Sequence, residues 1–456
     1  MQNRKTLVSV FNAQEAREAM LGGARIVDSE DPRSALGNIK PFHIMQVSNA
    51  VLNYKRNEDV QLSTNIGEDQ LLFKRSETGQ AIEKSPYEIS GKAAQAALGV
   101  SVSMGTRVHP CNIVKVGLDG MRPDILGEVL TEVVTSLHRT EDYSHSQVMS
   151  VLFVQDISLW DKRKSLKGII EVLVSLREFY PCNIDDDRKV DLIDYAVNTL
   201  RDRDGRILFT EKSQVSLGSL IKKGVLPEGS NHSFVKVNEL FPHYQYFNQI
   251  SAGTTKTTKE VIKAMIDVTA DSGANAIMLD TSILSKVSNI CLADTSSPGM
   301  IDINQFDLNE DNLPTAGILS LDDMKYFVEY CHYKGIEANI AGSIQSFQAQ
   351  QLWVLIPELD HISTRGGASS VDKEPGTNSL GNDTRQFRVI KRSMVRGIVP
   401  PEHGGVLNIP KKFKSNPRVM TEVEKLKEMI STERERLNFP PLKSYFIDPF
   451  GVPTEF

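Results

Sequence analysis

Eight short runs rich in β-branched and apolar residues alternate with stretches of helical periodicity, and this alternation constrains the chain more than any other feature. Strands that alternate with helices specify β–α units, a parallel sheet and helices covering it. The runs are 6–11 (TLVSVF), 24–28 (ARIVD), 61–66 (QLSTNI), 113–116 (IVKV), 148–155 (VMSVLFVQ), 274–280 (ANAIMLD), 337–341 (EANIA) and 361–364 (HIST). Helices are expected over 12–21, 43–53, 91–104, from 257, over 320–334, through Trp353 and over 384–396. Three starts carry a capping-box pattern, Asn12 with Glu15, Thr257 with Glu260 and Ser320 with Asp323. Eight such units in order predict a (β/α)₈ TIM barrel.

A single barrel needs only ~250 residues, and this chain has 456. The periodic pattern stops after the fifth run and resumes near 257. The expected division is therefore a first barrel half over 1–156, a large insertion over 157–256, a second half over 257–396 and a helical C-terminal extension over 397–456. The insertion has helical stretches at 166–179 and 189–201 but no chemical motif. In the extension, Val419, Val423, Leu426, Met429 and Ile430 form the apolar face of a helix over 419–437, and Pro440-Pro441 stop it. Such a face packs on the barrel or on a second subunit.

A hydrophobic content of 40% and a charged content of 24% are those of an ordinary globular protein, and a net charge of −6 argues against a general binder of nucleic acid or anionic membrane. No run of ~18 apolar residues occurs, and the apolar stretch near the N-terminus is too short for a signal-peptide core, so a cytoplasmic protein is expected. Cys111, Cys182, Cys291 and Cys331 include no C-x-x-C pair and read as reduced thiols. Barrels often assemble through their outer helices, so a homo-oligomer is allowed, with no number fixed.

Barrel chemistry sits at the C-terminal ends of strands, and the string GGARIVDSEDPRSALG (22–37) puts acids there. Its strand breaks at Asp28-Ser29-Glu30-Asp31-Pro32, which cannot continue a ladder. Asp also favours turns through its own backbone hydrogen bonds, so turn formation is the plainer reading of Asp28 and Asp31. Lys115 lies in an otherwise apolar strand and is costly to bury as a cation unless paired, so it should face a carboxylate in the barrel mouth. Burial would lower its pKa toward neutrality, as Schiff-base lysines require; the plain alternative is an internal salt bridge. Asp280 with Thr281 ends the sixth strand. Gly342-Ser343 after the seventh strand and Arg365-Gly366-Gly367 after the eighth occupy the two loops where barrels bind phosphate, with Arg365 as a fork for phosphate oxygens. A small phosphorylated substrate is the expected partner. Asp28, Glu30 and Asp280 could share a Mg²⁺ through oxygens, but no spacing demands a metal, and no cofactor is expected.

The ordered motifs GGARIVDSEDPRSALG, STNIGE, VKVGLDG, GANAIMLDTS, IEANIAGSI and ISTRGGAS resemble the (5-formylfuran-3-yl)methyl phosphate synthase family, also called 4-(hydroxymethyl)-2-furancarboxaldehyde-phosphate synthase. The resemblance spans the first to the eighth strand and leaves out the insertion and the tail. It implies a barrel lyase that condenses two molecules of glyceraldehyde 3-phosphate into a furan, on the way to the one-carbon carrier methanofuran. It also implies that Asp28, Lys115 and Asp280 line the active site. The family's loop after the second strand reads Asp-Val-Lys-Asn-Pro, so Glu30 stands at its Schiff-base lysine, and a glutamate cannot form an imine. The family's lysine after the sixth-strand acid falls on Leu284, with Lys286 two residues on. Three functions remain open: the synthase reaction with its amine on Lys115 or Lys40, a phosphate-binding barrel enzyme of altered reaction using Glu30 as base, and a catalytically silent paralogue that binds a partner through its insertion and tail.

Overall fold

The computed structural model describes residues 4–32, 39–54, 60–67, 73–75, 81–83, 85–105, 112–117, 123–153, 258–281, 292–293, 297–301, 319–342, 344–371, 388–409 and 415–437. The chain begins β1 (Lys5–Val10), α1 (Ala13–Leu21), β2 (Ile26–Ser29), α2 (Pro41–Leu52), β3 (Gln61–Asn65), β4 (Phe73–Arg75) and β5 (Ala81–Glu83). It continues α3 (Pro86–Met104), β6 (Asn112–Gly117), α4 (Pro123–His138), β7 (Gln147–Phe153), α5 (Thr258–Asp271), β8 (Ala276–Asp280), α6 (Leu321–Tyr333), β9 (Glu337–Ile340), α7 (Ser346–Leu355) and β10 (His361–Thr364). It ends β11 (Ser369–Val371), β12 (Arg388–Ile390), α8 (Arg392–Arg396) and α9 (Pro417–Arg436). The expected insertion lies outside the described residues, as do Thr257, Ser343, Leu284, Lys286 and three of the four cysteines. Cys331 is a free, buried thiol.

Eight strands close into a parallel barrel in the order β1, β2, β3, β6, β7, β8, β9, β10 and back to β1. Alternation along each strand divides its side chains between two cores. Leu7, Ile26, Ile113, Met149, Ala276 and Met278 pack in one buried cluster inside the barrel. Their neighbours Val8, Val27, Val114, Val148 and Ile277 belong to a second cluster shared with Ala16, Ile44, Ile89 and Ile262 of the surrounding helices. The inward set is apolar in its middle and turns polar toward the C-terminal ends, where Ser9, Asp28 and Lys115 take over.

Local chemistry accounts for several helix starts. Ser320 and Asp323 form the expected capping box on α6, and Ser85 with Glu88 forms another on α3, ahead of Pro86 in its first turn. At α1 the cap is Asn12 alone, whose side chain accepts from the amides of Gln14 and Glu15. Glu15 is drawn elsewhere, to Arg365.

The closing helix expected over 384–396 is interrupted by a strand. Among the described residues of this span, which begin at 388, Arg392–Arg396 is helical, and Arg388–Ile390 instead pairs antiparallel with β11. The β-branched Val389 and Ile390 suit a strand, and the amide of Ile390 is taken by Glu15 rather than by a helical carbonyl. Beyond α8 the chain is tied to α7. Gln350 donates to the carbonyls of Gly397 and Val399, both at 2.9 Å, and the Trp353 indole donates to Ile398 at 2.8 Å. Buried Arg4 joins the same strap, pairing with Glu402 while donating to the Trp353 carbonyl at 2.7 Å. Helix α9 then covers α7, with Val419, Val423, Leu426 and Ile430 packed in one cluster with Phe347. The apolar face of the tail helix thus rests on the barrel. No helix among the described residues is long and apolar enough to cross a membrane.

Candidate active site

Strand register sets Ser9 beside Asp28, Asp28 beside Ser63 and Asn65 beside Lys115. Because these positions face the lumen, Lys115 on β6 reaches past β3 to Asp28 on β2, Nζ to Oδ2 at 2.6 Å. Ser9 Oγ donates to the same oxygen at 3.0 Å. The side chains of Lys115 and Asp28 are 7% and 0% exposed. A lone charge at such a site is strongly unfavourable, so each partner is what permits the other. Among the described residues, Asp28 Oδ1 and Thr281 Oγ1 are buried without a hydrogen-bond partner.

Electrostatics revise the expectation for Lys115. Burial alone would lower its pKa, but Asp28, Glu30 and Asp280 outweigh burial and hold the ammonium above its ordinary value. This shift favours the ammonium over the neutral amine that imine formation needs. Burial pushes the Asp28 carboxyl up from its usual range; the Lys115 ammonium opposes this rise and Glu30 adds to it. The two groups titrate as a pair.

Glu30 follows β2 directly, its amide donating to the Val10 carbonyl at 2.9 Å, which fixes the loop at the barrel mouth. Asp280 ends β8 and accepts from the Thr281 amide at 2.7 Å. Lys40, the other amine considered, occupies the N-cap position of α2 and is exposed. Among the described residues no group of three or more His, Cys, Asp or Glu is arranged to hold a metal ion.

The loops expected to bind phosphate are built more tightly than their glycines suggest. Gly342 has φ +91°, and a Cβ there would lie 2.9 Å from Thr281 Cγ2, so the backbone closes on β8. A Cβ on Gly367 would fall 2.3 Å from the Ile344 carbonyl oxygen, and its amide already donates to Thr364 Oγ1 at 3.0 Å. Gly366 offers its carbonyl to Arg388 at 2.8 Å. Arg365 departs from the expected role. Its terminal nitrogens grip Glu15 at 2.9 and 3.0 Å and also donate to the carbonyls of Ser9 and Arg388. A buried carboxylate has captured the fork expected for phosphate.

Residues 6–177 match the family model described as 4-HFC-P synthase. This span, less than half of the chain, is similar to the 4-HFC-P synthase family. The name of that family implies a synthase activity, and the matched span contains Ser9, Asp28, Glu30 and Lys115. Asp280, Gly342 and Arg365 lie beyond it. No curated protein matches the sequence.

Among solved structures, phosphoribosyl anthranilate isomerase from Thermus thermophilus aligns over 86% of this chain and 96% of its own at 9% identity, with a TM-score of 0.33. The putative copper homeostasis protein CutC from Streptococcus agalactiae aligns over 80% and 100% at 10% identity, TM-score 0.34. A putative lyase/mutase from Burkholderia cenocepacia aligns over 80% and 78% at 9% identity, TM-score 0.35.

Ser9, Glu15 and Arg388 join this site without having been singled out by the sequence. Ser9 alternates with inward Leu7, so strand parity carried a signal for it. Nothing local marks Glu15 as the partner of an arginine 350 positions away.

Proposed function

We propose that this chain is a 4-HFC-P synthase-like lyase that condenses triose phosphate, glyceraldehyde 3-phosphate, by acid–base chemistry without a protein-bound imine. The observation that carries this reading is the sealed 2.6 Å contact between Lys115 and Asp28, inside the span that matches the family. Joining two triose phosphates into a furan phosphate requires proton removal beside a carbonyl, carbon–carbon bond formation, and loss of phosphate and water. Such steps need a base next to the carbon and a positive group at the developing oxyanion. In this reading Asp28 moves the proton and the Lys115 ammonium stabilises the oxyanion. Glu30 and Asp280 keep Lys115 charged and serve as further proton carriers. The substrate phosphate is assigned to the backbone at Gly342 and Gly366.

One experiment tests both parts. The protein is incubated with glyceraldehyde 3-phosphate, furan absorbance is followed, and a parallel sample is treated with borohydride and mapped by peptide mass spectrometry. Furan without a lysine adduct is the expected result. Furan with an adduct on Lys115 or Lys40 would restore the imine route, and absence of furan would sink the synthase reading. Glu30, at the family's lysine position, favours the second reading, a phosphate-binding barrel enzyme of altered reaction. In that case other sugar phosphates should raise the melting temperature, since a ligand of the native state stabilises it.

A further inference from the structure

Two donors to Asp28 converge on one oxygen. Lys115 Nζ lies 2.6 Å and Ser9 Oγ 3.0 Å from Oδ2, while Oδ1 has no hydrogen-bond partner among the described residues. Ser9 is itself held from behind, its carbonyl accepting from Arg365 Nη1 at 3.0 Å. That same guanidinium is clamped by Glu15, whose Oε2 also takes the Phe11 amide at 2.7 Å. A continuous path thus runs from α1 through the end of β10 to β1, then to β2 and β6.

We infer that Ser9 is a positioning residue for Asp28: held by the Arg365–Glu15 pair, it shares Oδ2 with Lys115 and leaves Oδ1 as the oxygen that exchanges a proton with substrate. The inference rests on the reading of Asp28 as the proton-transferring group and adds the part that orients it. Physically, a carboxylate accepting two donors on one oxygen is fixed in rotation, and each donor favours its ionised form. Without Ser9 Oγ, the carboxylate would be anchored at Oδ2 by one flexible lysine, with Ser63 beside it on β3, and its charged form would lose part of its support against burial. The charged groups facing the pair are Glu30 beyond β2 and Asp280 at the end of β8, with Arg365 and Glu15 behind Ser9.

The test titrates Asp28 directly, in the full chain without substrate, by ¹³C NMR of γ-carboxyl-labelled aspartate assigned with Asp28→Asn. Ser9→Ala should raise the Asp28 midpoint relative to wild type by about one pH unit, the scale of one hydrogen bond to a carboxylate. Ser9→Thr, which keeps the hydroxyl, should restore it. If Ser9→Ala does not fold, Ser9→Cys keeps the volume with a weak donor and should give a smaller shift of the same sign. A midpoint unchanged in the variant that folds would overturn the inference. Turnover is read separately: Ser9→Ala should lower kcat with KM unchanged, with Ser9→Thr near wild type, whereas loss shared equally by both variants would indicate a packing role. Because the titration needs no substrate, it stands or falls independently of whether the wild type makes furan.

Discussion

Arg365 holds Glu15 through both terminal nitrogens, at 2.9 and 3.0 Å, joining the end of the last barrel strand to the first helix. The side chains are 14% and 5% exposed, so this is a largely buried pair. Breaking such a pair by removing one partner costs about 3–5 kcal/mol, because the other charge stays buried and unmatched. Glu15→Ala should therefore lower the unfolding free energy by that amount in urea titrations. Arg365→Lys keeps the charge but loses the two-pronged geometry, and should weaken the fold less. If Arg365 closes the barrel instead of binding phosphate, the rise in melting temperature with added inorganic phosphate should be the same in wild type and Arg365→Lys. A clearly smaller rise in the variant would return the residue to the binding site.

The Asp28–Lys115 pair predicts the shape of the pH–rate profile. Burial raises Asp28 above its ordinary 3.8, and the surrounding carboxylates raise Lys115 above 10.5. Activity that needs ionised Asp28 and protonated Lys115 should rise through an acid limb displaced above the usual carboxyl range and fall only on a strongly alkaline limb. Both limbs belong to the pair. Asp28→Asn should reduce kcat by roughly 10²–10⁴ and abolish the acid limb, the range expected for loss of a positioned acid–base group. A profile with its alkaline limb near neutrality would instead mark Lys115 as a free amine. The stability signs agree: each folded-state pKa is raised, so each contribution is present below the unfolded value and lost as pH rises through the folded one.

Much of this was readable from the chain, and the rest failed for identifiable reasons. Buried parallel strands are short apolar runs closed by turn residues, which is why Gln147–Phe153 and Ala276–Asp280 stood out. Lys115 was legible because a cation among Ile113, Val114 and Val116 demands a carboxylate. Its charge state was not, since that depends on Glu30 and Asp280 arriving from other strands. Arg365 illustrates the limit: an arginine beside two glycines at the barrel mouth fits a phosphate fork, and only the fold places Glu15 against it. The strand Arg388–Ile390 was hidden by helix-compatible neighbours, although its β-branched Val389 and Ile390 pointed the other way.

The strap beneath α7 gives a second stability test. Arg4 is 1% and Glu402 4% exposed, and the Arg4 guanidinium also lies 5.3 Å from the centre of the Trp353 ring. Glu402→Ala should cost about 3–5 kcal/mol by stranding the guanidinium. The double variant Arg4→Met with Glu402→Leu should recover most of that loss, since an apolar pair of similar volume needs no compensating charge. A double variant no more stable than Glu402→Ala would mean that the hydrogen bond from Arg4 to the Trp353 carbonyl, and not the ion pair, anchors the strap.

At the opposite end of the lumen from the site, His361 Nε2 meets Glu337 Oε2 at 2.9 Å. That hydrogen bond, opposed by burial and helped by Lys5 and His332, lowers the Glu337 pKa below its ordinary 4.5. A depressed carboxyl contributes stability that is present above its unfolded pKa and lost as pH falls through the folded one. Acid unfolding should therefore steepen below pH 4.5 in the wild type. Glu337→Gln should flatten that part of the curve while leaving the neutral-pH fold intact. The Glu337 side chain is 43% exposed, so solvent screens the contact and the effect should be modest. Curves of wild type and Glu337→Gln that run parallel through the acid range would show that the pair contributes no pH-linked stability.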